Sequence, residues 1–263
     1  MESARDDCQL DRRSQLTDTK LVLVCGMASG RKRHLQQELF RRGGKRKGAG
    51  RKPKGPRASE RHKKRPVIKA KHGLHVVLRV VPEIGSLRRP EMYRAVCEAS
   101  ICAAVRERIR ILHISVQRTH VHMIVEAENK KALGRGMQGF QISAARHINT
   151  ALGDGVRRRR GKVFVDRYHL MVINSSTQAR HVLSYVLNNW RKHEEDRQAG
   201  RLIDRYSSGC SFADWQEMDG QDVMWLIPQD HEPLIVRRPM SWLMSVGWKI
   251  AGTISAREVP SRR

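Results

Sequence analysis

The sequence predicts an α+β fold: one antiparallel sheet of ferredoxin-like plan with helices packed on it, a basic disordered N-terminal arm and a C-terminal extension. Three observations predict it. Apolar residues alternate at period two around residues 74–80, 111–117 and 120–126. They recur at three- and four-residue steps after Pro90, over residues 131–152 and again after Ser175. These strand-like and helix-like stretches follow one another in the order of the ferredoxin-like plan.

Each element has its own reason. Leu74, Val76, Leu78 and Val80 alternate with His75, Val77, Arg79 and Val81, a strand pattern. Pro90, with Glu91 beside it, opens a helix running to about Glu107. In the strand over 111–117, Leu112, Ile114 and Val116 are expected on one face and His113, Ser115 and Gln117 on the other. A tight turn at Arg118-Thr119 leads into the returning strand Thr119–Glu126, and the hairpin is expected to bury one face and expose the other. Leu133, Met137, Phe140, Ala144, Ile148 and Ala151 form the stripe of a long helix. Gly134, Gly136 and Gly139 in its first turns mark either the close approach of a backbone or a weak first turn. Lys162–Asp166 and Tyr168–Asn174 read as short strands, and a last helix runs from Ser175 to about Glu195. The domain thus spans residues 66–196, preceded by residues 1–65 and followed by a Trp-containing extension over 197–263.

Charge bounds the partners. There are 52 Lys and Arg against 26 Asp and Glu, a net charge of +26, which points to a polyanion, with nucleic acid the commonest. The run from Arg41 to Arg57 is too rich in Gly, Pro and charge to bury a core. It reads either as an arm for a DNA minor groove, through Arg46, Lys47, Arg51 and Lys52, or as a solvated linker. Five cysteines without C-x-x-C spacing argue against a disulfide framework or a zinc ribbon. No stretch reaches the ~20 apolar residues of a membrane span, and the acidic start is unlike a secretory signal, so a cytoplasmic protein without a membrane partner is expected. Trp215, Trp225, Trp242 and Trp248 crowd the extension, either to pack on the domain or to stack on bases.

Two constellations carry candidate chemistry. His120 and His122 leave one face of a strand together, either as a ligand pair or as two polar residues facing water. In the last helix Ala179, Val182, Leu183, Val186 and Trp190 form the buried stripe. Tyr185 and Asn189, four residues apart, lie side by side off that stripe.

With Ser115-Val116-Gln117 before His120-Val121-His122, Gly136-Met137-Gln138-Gly139, Gly161–His169, and Tyr185 with Asn189, residues 66–196 resemble the single-tyrosine transposases of the HUH nuclease superfamily. The REP-associated, bacterial insertion-sequence type is the nearest in pattern. Trp242-Leu243, Gly247-Trp248 and Glu258-Val259-Pro260 resemble the tail of one subgroup. Thr119 departs from the family, many members having Asn before the first histidine. The resemblance implies a single-strand DNA endonuclease and transesterase, with Tyr185 as nucleophile and a 5′-phosphotyrosine intermediate. It implies a divalent ion, Mg2+ or Mn2+, on His120, His122 and Asn189, and zinc also suits these donors. Single-stranded or hairpin DNA is the implied partner, with phosphate contacts from the arm, Arg157, Arg158, Arg159, Arg160, Arg191 and Lys192. Relatives include both monomers and homodimers. A non-catalytic DNA- or RNA-binding protein of the same fold is the competing reading.

Overall fold

The structure, a computed structural model, describes residues 66–196, 200–218 and 231–260. The proposed arm residues Arg46, Lys47, Arg51 and Lys52, and Trp225, lie outside them. The elements are β1 (Gly73–Arg79), α1 (Pro90–Ala104), β2 (Ile109–Val116), β3 (His120–Ala127), α2 (Lys130–Ala151), β4 (His169–Ile173), α3 (Ser176–Leu187) and the short α4 (Asn189–Lys192) and α5 (Trp242–Ser245). The four strands form one antiparallel sheet in the order β2-β3-β1-β4, which is the expected ferredoxin-like plan.

Local chemistry explains the helix starts. Pro90 occupies the first turn of α1, where its missing N–H costs nothing. Asn129 caps α2, its side chain accepting from the backbone N–H groups of Lys131 and Ala132, and Ser175 caps α3 by accepting from Gln178. The Leu133, Met137, Phe140, Ala144 and Ile148 stripe of α2 is buried as expected, whereas Ala151, at its end, is exposed.

The sheet has a core on each face. On one, Leu74, Val76 and Leu78 of β1 and Val121, Met123 and Val125 of β3 meet α1 and α2. On the other, Ile124 and Ile173 meet Ala179, Val182, Leu183, Val186 and Leu187 of α3, together with Phe212, Trp215, Met244, Trp248 and Ile254. The expected solvent-facing side of the hairpin is therefore covered, because α3 and the chain after it lie across it. Trp215 and Trp248 pack in this second core, while Trp242 is 61% exposed.

Three further expectations are corrected. Pairing in β2 shifts between Ile111 and His113, and a bulge reverses the alternation. Leu112 consequently enters the second core, and Ile111 joins Ile114 and Val116 in the first. The final helix does not run on to Glu195. It ends at Leu187, and after Asn188 the single turn of α4 follows. There the Asn188 amide donates to the carbonyl of Ser255, so the chain bends to meet the C-terminal segment. Lys162–Asp166 is not a full strand; Val163 accepts from Val81 and Val165 donates to Arg79 around an isolated Val80–Phe164 bridge.

Glu126 fastens the C-terminal segment to the sheet. Its buried carboxylate accepts from the backbone N–H groups of Met240 and Ser241 and from the Ser241 hydroxyl. Hydrogen bonds to an ionised acceptor are worth about 1.5–3 kcal/mol, and removing the acceptor leaves buried donors unpaired. Glu126→Ala is expected to lower the unfolding free energy in urea by about 3 kcal/mol, with Glu126→Gln losing less; a loss below about 1 kcal/mol in the alanine variant would show the anchor to be weak.

Candidate active site

The candidate site lies on the sheet face turned toward α3. Directly opposed residues of an antiparallel pair share a face. His122 is paired with Val77 of β1 and Ser115 of β2, and His120 with Arg79. The rings of His120 and His122 approach to 4.6 Å between centroids. Each makes one contact through its Nδ1: His120 with the Thr119 hydroxyl at 3.2 Å, His122 with Nε2 of His75 at 3.1 Å. Thr119, where many relatives carry Asn, thus supplies a hydroxyl to the first histidine.

The helix brings the tyrosine to the histidines. The half-buried Tyr185 ring stands edge-on to His122 at 5.2 Å and to His75 at 5.9 Å. The Lys192 ammonium lies 4.7 Å from the centre of the same ring. Asn189, at the start of α4 rather than on α3, is 0% exposed. Its amide oxygen and nitrogen have no protein partner, and neither has Nε2 of His122. Buried polar atoms are rarely left unpaired, and such an exception calls for an explanation. Imidazole nitrogen and amide oxygen are both donors to divalent ions, so the three residues fit a metal. Among the described residues no group of three His, Cys, Asp or Glu is placed to hold one.

Ion pairs hold this arrangement against the hairpin. Glu195, just beyond α4, meets Arg88 at 2.6 Å and Arg118 of the β2–β3 turn at 2.9 Å, while Arg88 also makes a two-pronged contact with Asp204. The paired planar guanidinium and carboxylate fix orientation as well as distance.

Burial sets the protonation. It pushes His75 and His120 down to about 4, helped by His169 in the first case and by His193 and Arg79 in the second. It also pushes His122 well below the ordinary value, with His75 and His120 adding to the effect. These imidazoles are neutral at pH 7, so their lone pairs are available. Burial raises the Tyr185 phenol above its usual value, which makes the phenolate rarer than in water. His113, half-buried against Phe212, is also pushed down to about 4 by desolvation. Between pH ~6.5 and ~4 the unfolded chain takes up protons that folded His75, His113 and His120 refuse, so stability is full above the upper limit and declines toward the lower. The urea midpoint is expected to be lower at pH 5 than at pH 7; equal midpoints would contradict the buried neutral state.

The basic residues named from sequence divide. Arg157, Arg158 and Arg160 are exposed, while Arg159 is half-buried and bonds Asn149 and the carbonyl of Lys162. Arg191 is turned inward, donating to the carbonyls of Ala256 and Leu202 and pairing with Asp196. Lys192 stands beside Tyr185 instead. Sequence reasoning missed His75, although its alternation put it on the face opposite Leu74 and Val76; only the β1–β3 register brings it to His122. It also gave no role to Gln117, which is buried, donates to Ser115 and keeps its amide oxygen unpartnered.

No helix among the described residues is long and apolar enough to cross a membrane. Curated proteins include no match to this chain. Among solved structures, a REP-associated tyrosine transposase bound to a REP hairpin superposes with a TM-score of 0.46 at 16% identity, covering 69% of this chain and 100% of that one. A crystal structure of a candidate transposase from Deinococcus radiodurans R1 gives 0.33 at 11% identity, covering 53% and 98%. Residues 69–189 match the family model described as IS200-like transposase. That span, a little under half of the chain, runs from the approach to β1 through Tyr185 to Asn189, and over it the chain is similar to the IS200-like transposase family.

Proposed function

We propose that this protein cleaves and rejoins single-stranded DNA through a covalent bond to Tyr185. The observation that carries the reading is the edge-on approach of Tyr185 to His122, whose buried Nε2 has no partner; the buried Asn189 amide oxygen is likewise unpartnered. The match of residues 69–189 to a transposase family supports transposition; the residue roles are our reading.

His120, His122 and Asn189 would hold a divalent ion, Mg2+ or Mn2+, and when bound it supplies Lewis-acid polarisation of the scissile phosphate. For His122 to offer Nε2, its Nδ1 carries the proton and donates to Nε2 of His75, which fixes both tautomer and ring. The Tyr185 phenol gives up its proton to water as its oxygen attacks phosphorus, a P–O bond to tyrosine forms, and the P–O3′ bond breaks. The departing 3′ oxygen leaves as a hydroxyl after taking a proton, and the DNA stays attached through its 5′ phosphate. Lys192, beside the ring, lends positive charge to the phenolate and the phosphate as the reaction proceeds. Rejoining is the reverse attack by a 3′ hydroxyl, which needs no nucleotide because the phosphotyrosine conserves the bond energy.

Single-stranded or hairpin DNA is the substrate of this reading. It is supported by the +26 charge and by the match of residues 69–189 to a transposase family, since transposition acts on DNA. Incubation with end-labelled oligonucleotides from the DNA flanking the gene, with and without Mn2+, tests it. A metal-dependent cut with label retained on denatured protein is expected; binding without any cut in Mn2+ or Mg2+ would favour a non-catalytic binder.

A further inference from the structure

Away from the histidines the protein has a second strongly charged feature. At the far end of the sheet, where the α1–β2 turn meets the start of α2, a cavity of about 360 Å³ is lined by Arg106, Arg108, Lys131 and Arg135, with Glu107 the one carboxylate in its wall. All four cations are exposed. Arg108 reaches Glu128 only at 3.8 Å, with both side chains mostly in solvent, so this ion pair contributes little.

The cavity is shaped by the glycines of α2. A β-carbon on Gly136 would come within 2.4 Å of the Ile109 side chain, and one on Gly139 would lie 2.5 to 2.9 Å from three guanidinium-group atoms of Arg106. The guanidinium therefore lies against the bare helix surface at Gly139. These glycines serve close approach, of side chains rather than of another backbone, and Gly136 forms part of the cavity lining. Each weakens the helix relative to alanine, a cost offset by the packing of Ile109 and the seat for Arg106.

We propose that this cleft is a second phosphate-backbone site, holding nucleic acid that flanks the cleavage point. The proposal rests on the strand-transfer reading for the meaning of "cleavage point", but not for binding itself. Converging arginine and lysine side chains with few competing carboxylates suit a phosphodiester backbone, and carry no base preference. The concave wall fits a backbone strand better than a flat headgroup surface. The seven residue steps of β3 from His120 to Ala127 span about 23 Å at ~3.3 Å per residue. At ~3.4 Å per nucleotide of a stacked strand, the phosphates held here lie roughly seven nucleotides or more from those at Tyr185.

Arg106→Ala/Lys131→Ala tests this, because both side chains are exposed and neither touches the candidate active site. Binding is measured by fluorescence anisotropy over a series of salt concentrations without divalent ion, so that no cleavage is required. One oligonucleotide carries flanks of about fifteen nucleotides on both sides of the cut, and the other flanks of about four. On the long DNA the slope of log affinity against log salt is expected to become shallower by about 0.7 for each single-strand phosphate that is no longer neutralised, with affinity at moderate salt falling roughly tenfold. On the short DNA the variant should match the parent. An unchanged slope on long DNA, or an equal loss on both lengths, overturns the proposal. So does a loss confined to phosphatidylserine vesicles, which would assign the cleft to an anionic lipid surface. The Tyr185 adduct is scored separately, so failure of the cleavage reading and failure of the cleft are distinguishable.

Discussion

Tyr185→Phe is expected to eliminate the denaturant-resistant protein–DNA adduct completely while leaving the fold and DNA affinity nearly unchanged. The substitution deletes one oxygen from a half-buried ring whose packing against His122 and His75 is retained. Its stability cost should stay near about 0.5 kcal/mol, as for changes away from core and networks. Phenylalanine has no nucleophile, so the chemical step has no substitute path through this side chain. Tyr93 is a poor replacement: it is buried and donates its hydroxyl to the carbonyl of Glu232. In the parent protein the adduct should carry the DNA on the 5′-phosphate side, leaving an upstream fragment whose 3′ hydroxyl a polymerase extends. An adduct in the Phe variant, or attachment through the 3′ side, would remove Tyr185 from the mechanism.

His122→Ala should reduce Mn2+-dependent cleavage by at least about 10³-fold, the scale on which loss of a strong transition-state stabiliser is felt. It should also abolish the metal's effect on stability. A ligand that binds only the folded state raises the unfolding free energy by RT ln(1 + [L]/Kd), about 2.7 kcal/mol at one hundred times Kd. The parent protein is therefore expected to melt at higher temperature in excess Mn2+, and the variant to show no shift. DNA affinity without metal should change little, since the proposed phosphate contacts come from Lys and Arg elsewhere. A persisting Mn2+ shift in the variant would mean that the ion sits at another place. Asn189→Ala removes the third donor and should weaken the same shift, whereas His75→Phe should weaken it only by releasing the His122 tautomer.

Legibility in the sequence tracks how local each interaction is. Period-two and period-3.6 patterns marked β1, β3, α1 and α2 almost to their ends, and the start of α3, because side-chain direction repeats with the backbone itself. His120 and His122 share a face for the same reason, whereas Tyr185 and Asn189, expected on one helix, fall on either side of the break at Asn188. The boundaries that shifted were those set by distant partners. α3 ends early where Asn188 turns to the carbonyl of Ser255, and Leu112 changes core because one bulge in β2 alters its parity.

Local pattern was enough for the strand carrying the histidine pair, the helix carrying the tyrosine, the basic character of the chain and the family resemblance. It could not show that the histidine face is covered, that Asn189 is wholly buried with its amide unpartnered, or that His75 supports His122. Nor could it show Arg191 turned from solvent to the carbonyls of Ala256 and Leu202, or Arg106, Arg108, Lys131 and Arg135 gathered around one cavity. Each of these depends on sheet register or on the path of a segment tens of residues away. Periodicity fixes which way a side chain leaves its own backbone, but only packing between elements fixes what it meets.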